Sequence, residues 1–330
     1  MAEPNSNAHA ATDRTGPGAI EAAVIALQNY FQRNREMQCL LIVDPQPSDL
    51  PEPKGKHNLD DLPRTVVPTA HEAFPESERP YLLTLNPRLP QFGAWLAESV
   101  RVALADRRPD VIARVPGQRI GGWLATPAPV SADEVATHLS RQVLQIDDRG
   151  KTCALRFQDS RALALLWPVL TLMQKETLLG PVKTWHAFDA GARLAAYAGL
   201  YPKMLDDLSF KPQQWSAIRR HGLVNRALAL HIAAIGHQPE PETVEVAVSA
   251  AARAEQYGLV ERDDKLAFIG HALSWHPHFD AHPRVQEVLR NVSPDEFYVA
   301  GMSELSIDEI EAIRGGAWYV GKNNKDGLRA

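Results

Sequence analysis

Two short stretches of this 330-residue chain gather residue types from which chemistry is made. His271, His276, His278, Asp280 and His282 place five potential zinc ligands within twelve residues. Pro277 and Pro283 interrupt the segment, so these side chains cannot share one helix face as ligands at i and i+4 do. A helix-ending loop with exposed or locally bonded imidazoles is expected, and a metal-dependent enzyme using His271 to His282 is the alternative. The second stretch, Arg156-Phe157-Gln158-Asp159-Ser160-Arg161, closes an apolar strand and opens the apolar helix Ala162 to Leu170. It sets two guanidinium groups around one carboxylate. Asp159 is expected to cap the helix, because its oxygens can accept the unpaired N–H groups of the first turn, with Arg156 bracing it.

No Walker loop, G-x-G-x-x-G turn, G-x-S-x-G elbow, H-E-x-x-H pair or C-x-x-C pair occurs. The chain is therefore read as a binding protein without catalytic residues, metal or cofactor. Trp95, Trp123, Trp167 and Trp185 fall among the α/β elements, where large aromatics are core or interface anchors. Trp123 and Trp185, with Arg156 and Arg161, are the candidate partner-binding residues, and Asp159 is the structural cap.

The elements that must hold these residues follow from periodicity. Ala19 to Arg33 has helical spacing, Cys39 to Asp44 is a buried strand ended by Pro45, and 45–90 spends ten of the 25 prolines on a looping excursion. That excursion is interrupted by one strand, Tyr81 to Leu85. Alternation resumes with a helix near Gln91 to Ala105, a strand near Arg119 to Ala125, and a helix from Ala132 to Leu144. Ser131 and Glu134 form a capping box for this last helix. A strand at Thr152 to Gln158 follows. Beyond Leu200 apolar residues recur at three- and four-residue intervals: Trp215 and Ile218, then Leu228, Ile232 and Ile235, with Gly222 dividing two helices. Val244, Val248, Ala251 and Ala254 form a further stripe, as do Leu266, Ile269 and Leu273. The fold class is α/β (α+β): a mixed-sheet N-terminal lobe followed by an all-helical C-terminal lobe. Its divisions are a disordered leader at 1–18, an α/β domain at 19–200, a helical lobe at 201–314 and a mobile tail at 315–330.

Composition agrees with a folded chain of two lobes, with 45% apolar and 23% charged residues. The 35 basic and 40 acidic residues are mixed, giving a net charge of -5 and no Lys/Arg block to follow a phosphate backbone, so no nucleic-acid partner is expected. The longest apolar run, Ala162 to Met173, is too short to span a bilayer, and the first residues lack an apolar h-region. A cytoplasmic protein without membrane contact is expected. Cys39 and Cys153 read as buried thiols.

From Ser131 to Leu170 the chain resembles the type VI secretion effector chaperones and adaptors built on domain of unknown function 4123. The likeness lies in a Val-Ala-Thr-His-Leu-Ser-Arg helix, an Asp-Asp-Arg-Gly turn, and Leu-Arg-Phe-Gln-Asp-Ser-Arg leading into a Leu-rich helix. Gln158 and Ser160 depart from it, where that family more commonly has an aromatic and a proline. Leu40 to Asp44, Arg79 to Leu85, Gly180-Pro181 with Trp185, Ala252 to Leu259 and Phe279-Asp280 resemble further marks of the family in the same order. The resemblance implies a cytosolic adaptor that binds a toxic effector and helps load it onto a VgrG or PAAR spike protein. A structural subunit of the secretion apparatus is another alternative.

Overall fold

The computed structural model describes residues 13–45, 59–69, 71, 75–115, 117–199, 207–293 and 295–319. Most of the expected leader, and the tail from 320 onward, lie outside the described residues. The chain divides into two compact units, Met1–Ser209 with Ile235–Gln238, and Phe210–Ala234 with Pro239–Ala330.

The first unit is built on a six-stranded sheet. Its strands are β1 (Met37–Val43), β2 (Arg64–Val66), β3 (Tyr81–Leu85), β4 (Ile120–Pro127), β7 (Thr184–Phe188) and β8 (Leu194–Ala198), in the order β2-β3-β1-β4-β7-β8. The order mixes sequential neighbours with crossovers, and every ladder is antiparallel. β1 is central and, from Cys39 on, apolar and buried, Met-Gln-Cys-Leu-Leu-Ile-Val, as a strand covered on both faces must be. One face, with Cys39, Leu41, Leu83, Trp123 and Phe188, packs in a single core with Leu27 and Phe31 of α1 (Pro17–Arg33) and Leu96 and Val100 of α2 (Phe92–Ala105). The other face meets α3 (Ala132–Val143) at β2 and β3, and α4 (Ser160–Leu166) at β4 and β7.

The capping box of α3 is present as its sequence implies: the Glu134 N–H donates to Ser131 Oγ at 3.1 Å and the Ser131 N–H to Glu134 Oε2 at 2.7 Å. The strand expected at Thr152 to Gln158 is shorter. It is β6 (Thr152–Ala154), paired with β5 (Leu144–Ile146) in a separate two-stranded hairpin. Residues 155–159 turn instead, because Asp159 must leave the strand to cap α4. A short α5 (Leu172–Leu179) closes this stretch with its own capping box, Thr171 and Gln174. Cys39 is buried, whereas Cys153 on the hairpin is only half-buried.

The second unit is helical. It comprises α6 (Pro212–Ile235, its last residue counted with the first unit), α7 (Pro241–Gln256), α8 (Arg262–Ser274), α9 (Pro283–Asn291), α10 (Tyr298–Ser303) and α11 (Ile307–Gly315). Gly222 does not divide α6. Nothing lies within 4 Å of where its side chain would begin, and the helix continues through it to bury Val224, Leu228 and Ile232. On α7 the inward stripe is Ala247, Ala250, Ala251 and Ala254, with Val248 exposed, so the expected valine stripe is rotated. Small residues there let α7 approach Phe268 and Ile269 of α8 closely. Among the described residues no helix is long and apolar enough to cross a membrane.

Candidate functional site: a buried arginine–aspartate cluster

Asp159 does cap α4, but capping is the smaller part of what it does. Its Oδ1 accepts from the Arg161 N–H at 2.9 Å, and the Arg161 guanidinium folds back so that Nη2 reaches Asp159 Oδ2 at 2.8 Å. Both side chains are about nine-tenths buried. Oδ2 also receives the Gln118 N–H at 3.4 Å. Burial opposes the charged form of Asp159, yet the charges and hydrogen bonds of Arg161, with Arg107 beyond, outweigh it and hold the carboxyl below its ordinary pKa. Burial likewise works against the charge on Arg161. Asp159, Asp106 and Asp44 outweigh it, and the pKa is raised.

Two further arginines, neither anticipated from sequence, complete the cluster. Arg107, almost fully buried just past α2, donates to Ser160 Oγ at 2.6 Å, to Phe188 O at 2.9 Å and to Asp189 O at 2.6 Å. It joins α4 to the end of β7. Burial first, and the neighbouring Arg161 second, pull its pKa down to about 10. Arg119, just before β4, forms a bidentate pair with buried Asp106, Nη2 to Oδ1 at 2.7 Å and Nε to Oδ2 at 3.0 Å. Its carbonyl accepts the Asp44 N–H at 2.8 Å. Asp44, fully buried at the end of β1, meets Arg156 at 3.2 Å. The available signal was the charged run Asp106-Arg107-Arg108 closing an apolar helix.

Of the four residues expected to face a partner, three are buried. Trp123 and Trp185 are 0% exposed, and their indole N–H groups donate to Ser99 Oγ at 2.9 Å and Gly121 O at 3.1 Å. Trp123 packs against Phe188 and Trp185 against Phe157. Neither can touch a partner without opening the sheet. Arg161 is spent on Asp159. Arg156 alone presents an accessible side chain, half exposed. The half-buried tryptophans of this unit are Trp95 and Trp167.

The five residues of the histidine-rich segment do not converge. His271 is stacked on Trp275 at 4.1 Å between centroids, and its Nδ1 lies 2.6 Å from the Tyr298 hydroxyl. His276 accepts from the His278 N–H at 3.1 Å, and His282 caps α9 through the Arg284 N–H. His276, His278 and His282 also pack on Trp318 and Tyr319. Asp280 is taken by Arg253 Nε at 3.0 Å and the Tyr257 hydroxyl at 3.2 Å. Among the described residues no three His, Cys, Asp or Glu side chains are grouped to hold a metal ion.

In the arginine–aspartate cluster, each arginine and each aspartate has a protein partner. The groups tie β1, β4, β7, α2 and α4 together at one end of the sheet. Beside them is a half-open polar pocket of about 400 Å³, walled by Arg108, Asp110, His237 and Gln238, where the Gln238 amide donates to Arg107 O at 2.6 Å.

Fold and cluster define an α+β domain whose helices are locked to an antiparallel sheet by buried ion pairs. Residues 68–177 match the family model described as domain of unknown function (DUF4123), and the chain carries that domain. The match takes in Asp106, Arg107, Arg119, Arg156, Asp159 and Arg161, and runs from ahead of β3 into α5. No curated protein and no solved structure matches the chain.

Proposed function

We propose that this protein is a type VI secretion adaptor that binds a toxic effector in the cytosol and helps load it onto a VgrG or PAAR spike protein, without turning over a substrate. The observation that carries the reading is the match of residues 68–177 to DUF4123, a domain of unknown function; the adaptors that the sequence resembles are built on it. Two features support it. The polar residues that resemble the family's marks are committed to holding the scaffold: Asp159 and Arg161 to each other, and Arg253 and Tyr257 to Asp280. The near-balanced charge favours partner proteins over nucleic acid.

Co-expression with the effector and spike proteins encoded beside it tests the reading. A co-purifying complex and a raised soluble yield of the effector are expected. Binding should survive moderate salt, because buried apolar anchors supply most of the affinity in such interfaces. Failure to associate with any of these proteins would overturn the adaptor assignment.

A further inference from the structure

We infer that the outer edge of β8 pairs with β8 of a second copy of this chain, joining two six-stranded sheets about a twofold axis. Among the described residues β8 ends the strand order and pairs only with β7. At the hairpin the Asp189 N–H donates to Arg193 O at 2.9 Å, so alternation turns the N–H and C=O groups of Leu194, Ala196 and Ala198 outward. Among the described residues no strand pairs with that edge. Edges that stay single are guarded by charges, proline or bulges. Leu194–Ala198 has none of these, and its register with β7 is unbroken over five residues.

The strand is complementary to itself. Antiparallel pairing centred on Ala196 sets that residue against its own copy, Leu194 against Ala198, and Tyr197 against Ala195. Each bulky side chain then meets a methyl group, and no like charges oppose each other. Such a ladder makes about six backbone hydrogen bonds.

A ladder this short buries less than the roughly 1,200 Å² of a stable interface, so it needs apolar surface beside it. That surface is present. Trp167 lies edge-on to Tyr197 with ring centroids 5.1 Å apart. The Lys175 ammonium sits 5.2 Å over Trp167, and the Glu176 carboxylate closes on Gly199, which bring α5 against the end of β8. α5 thus packs near the end of β8, and its first turn carries Leu172 and Met173, 56% and 46% exposed. A twofold axis normal to the sheet puts both copies of this surface on one face, above the paired strands.

Size-exclusion chromatography with light scattering on the full, untagged chain at micromolar concentration should give a dimer. Ala196→Lys sets two ammonium groups opposite each other, and Ala196→Pro removes the central donor while leaving the β7 ladder its bonds. Both should run as monomers with the circular dichroism of the parent. As a check that does not depend on disruption, Ala196→Cys in a Cys153→Ser background should be cross-linked to a dimer by a short bismaleimide. A monomeric parent chain overturns the inference, including one whose edge takes up an extended segment of another protein. So does a folded Ala196→Lys variant that remains dimeric, or a dimer that fails to cross-link at position 196.

Discussion

Asp159 stands between two buried guanidinium groups, and its removal would leave both without their nearest anion. As an exposed N-cap it would be worth about 1 kcal/mol. In its buried setting, deleting one member of the pair costs roughly 3–5 kcal/mol, so Asp159→Ala should lower stability by that amount in a urea titration. Because the folded carboxyl titrates below its ordinary value, its contribution is complete above about pH 4 and is lost as the pH falls through the depressed folded value. The stability gap between the parent and Asp159→Asn should therefore narrow on acidification below about pH 4. A gap constant from pH 7 to pH 3 would refute the electrostatic account. Next to it, Gln158 buries an amide of which neither the nitrogen nor the oxygen has a hydrogen-bond partner. Gln158→Met keeps the length and removes the unsatisfied groups, and should gain about 1–3 kcal/mol, read as a raised Tm. An unchanged or lowered Tm would show that the amide is satisfied in solution.

At the level of elements, the cluster depends on an irregularity in β4. Ile42 pairs with Gly122 and Val43 with Ile120, which leaves Gly121 as the extra residue of a bulge. The Gly121 carbonyl is then available to the Trp185 indole, and a Cβ on Gly121 would collide with the carbonyl of Gln158. Gly122 has φ +137°, and a Cβ there would fall on His186 O and the Trp185 ring. Gly122→Ala combines backbone strain with overpacking and should cost roughly 2–6 kcal/mol. Cooperative unfolding at the parent's midpoint would argue that the strand adjusts freely.

What could be read from sequence follows the same division between local and distant causes. The Ser131–Glu134 box and the Asp159 cap are set by residues three apart or fewer, and both were legible. β8 was not, because Leu-Ala-Ala-Tyr-Ala has little of the β-branched character of a strand and becomes one only by pairing with β7. Asp44, Asp106, Asp159 and their arginines come from segments spread over more than a hundred residues, from Asp44 to Arg161, and no spacing rule joins them. Nor could the sequence show that Trp123 and Trp185 face into the sheet layers while Trp167 lies at the edge.

For the whole molecule, the division into two units carries its own expectation. The helical unit has an aromatic core in which Phe268 packs against Tyr257, Phe279 and Tyr298, with His271 on Tyr298 and Trp275. All of these residues lie between Phe210 and Ala330. A fragment with those limits should fold alone, showing helical circular dichroism and a cooperative melt. Its pH dependence has a definite sign. Burial, with Arg314 adding to it for His271 and Arg220 for His221, pulls both imidazoles down to about 4, whereas in the unfolded chain they titrate near 6.5. The unfolded state therefore binds protons first as the pH falls, so their stabilising contribution is complete above about pH 6.5 and is lost between there and about pH 4. Each imidazole steepens the loss by at most about 1.4 kcal/mol per pH unit. Urea titrations of the fragment between pH 7.5 and 4.5 should show that decline, and His271→Asn should make it shallower while lowering stability at neutral pH through loss of the Tyr298 contact. A fragment that is random coil would show that its core forms only within the whole chain, and a slope unchanged in His271→Asn would place the proton uptake on other groups.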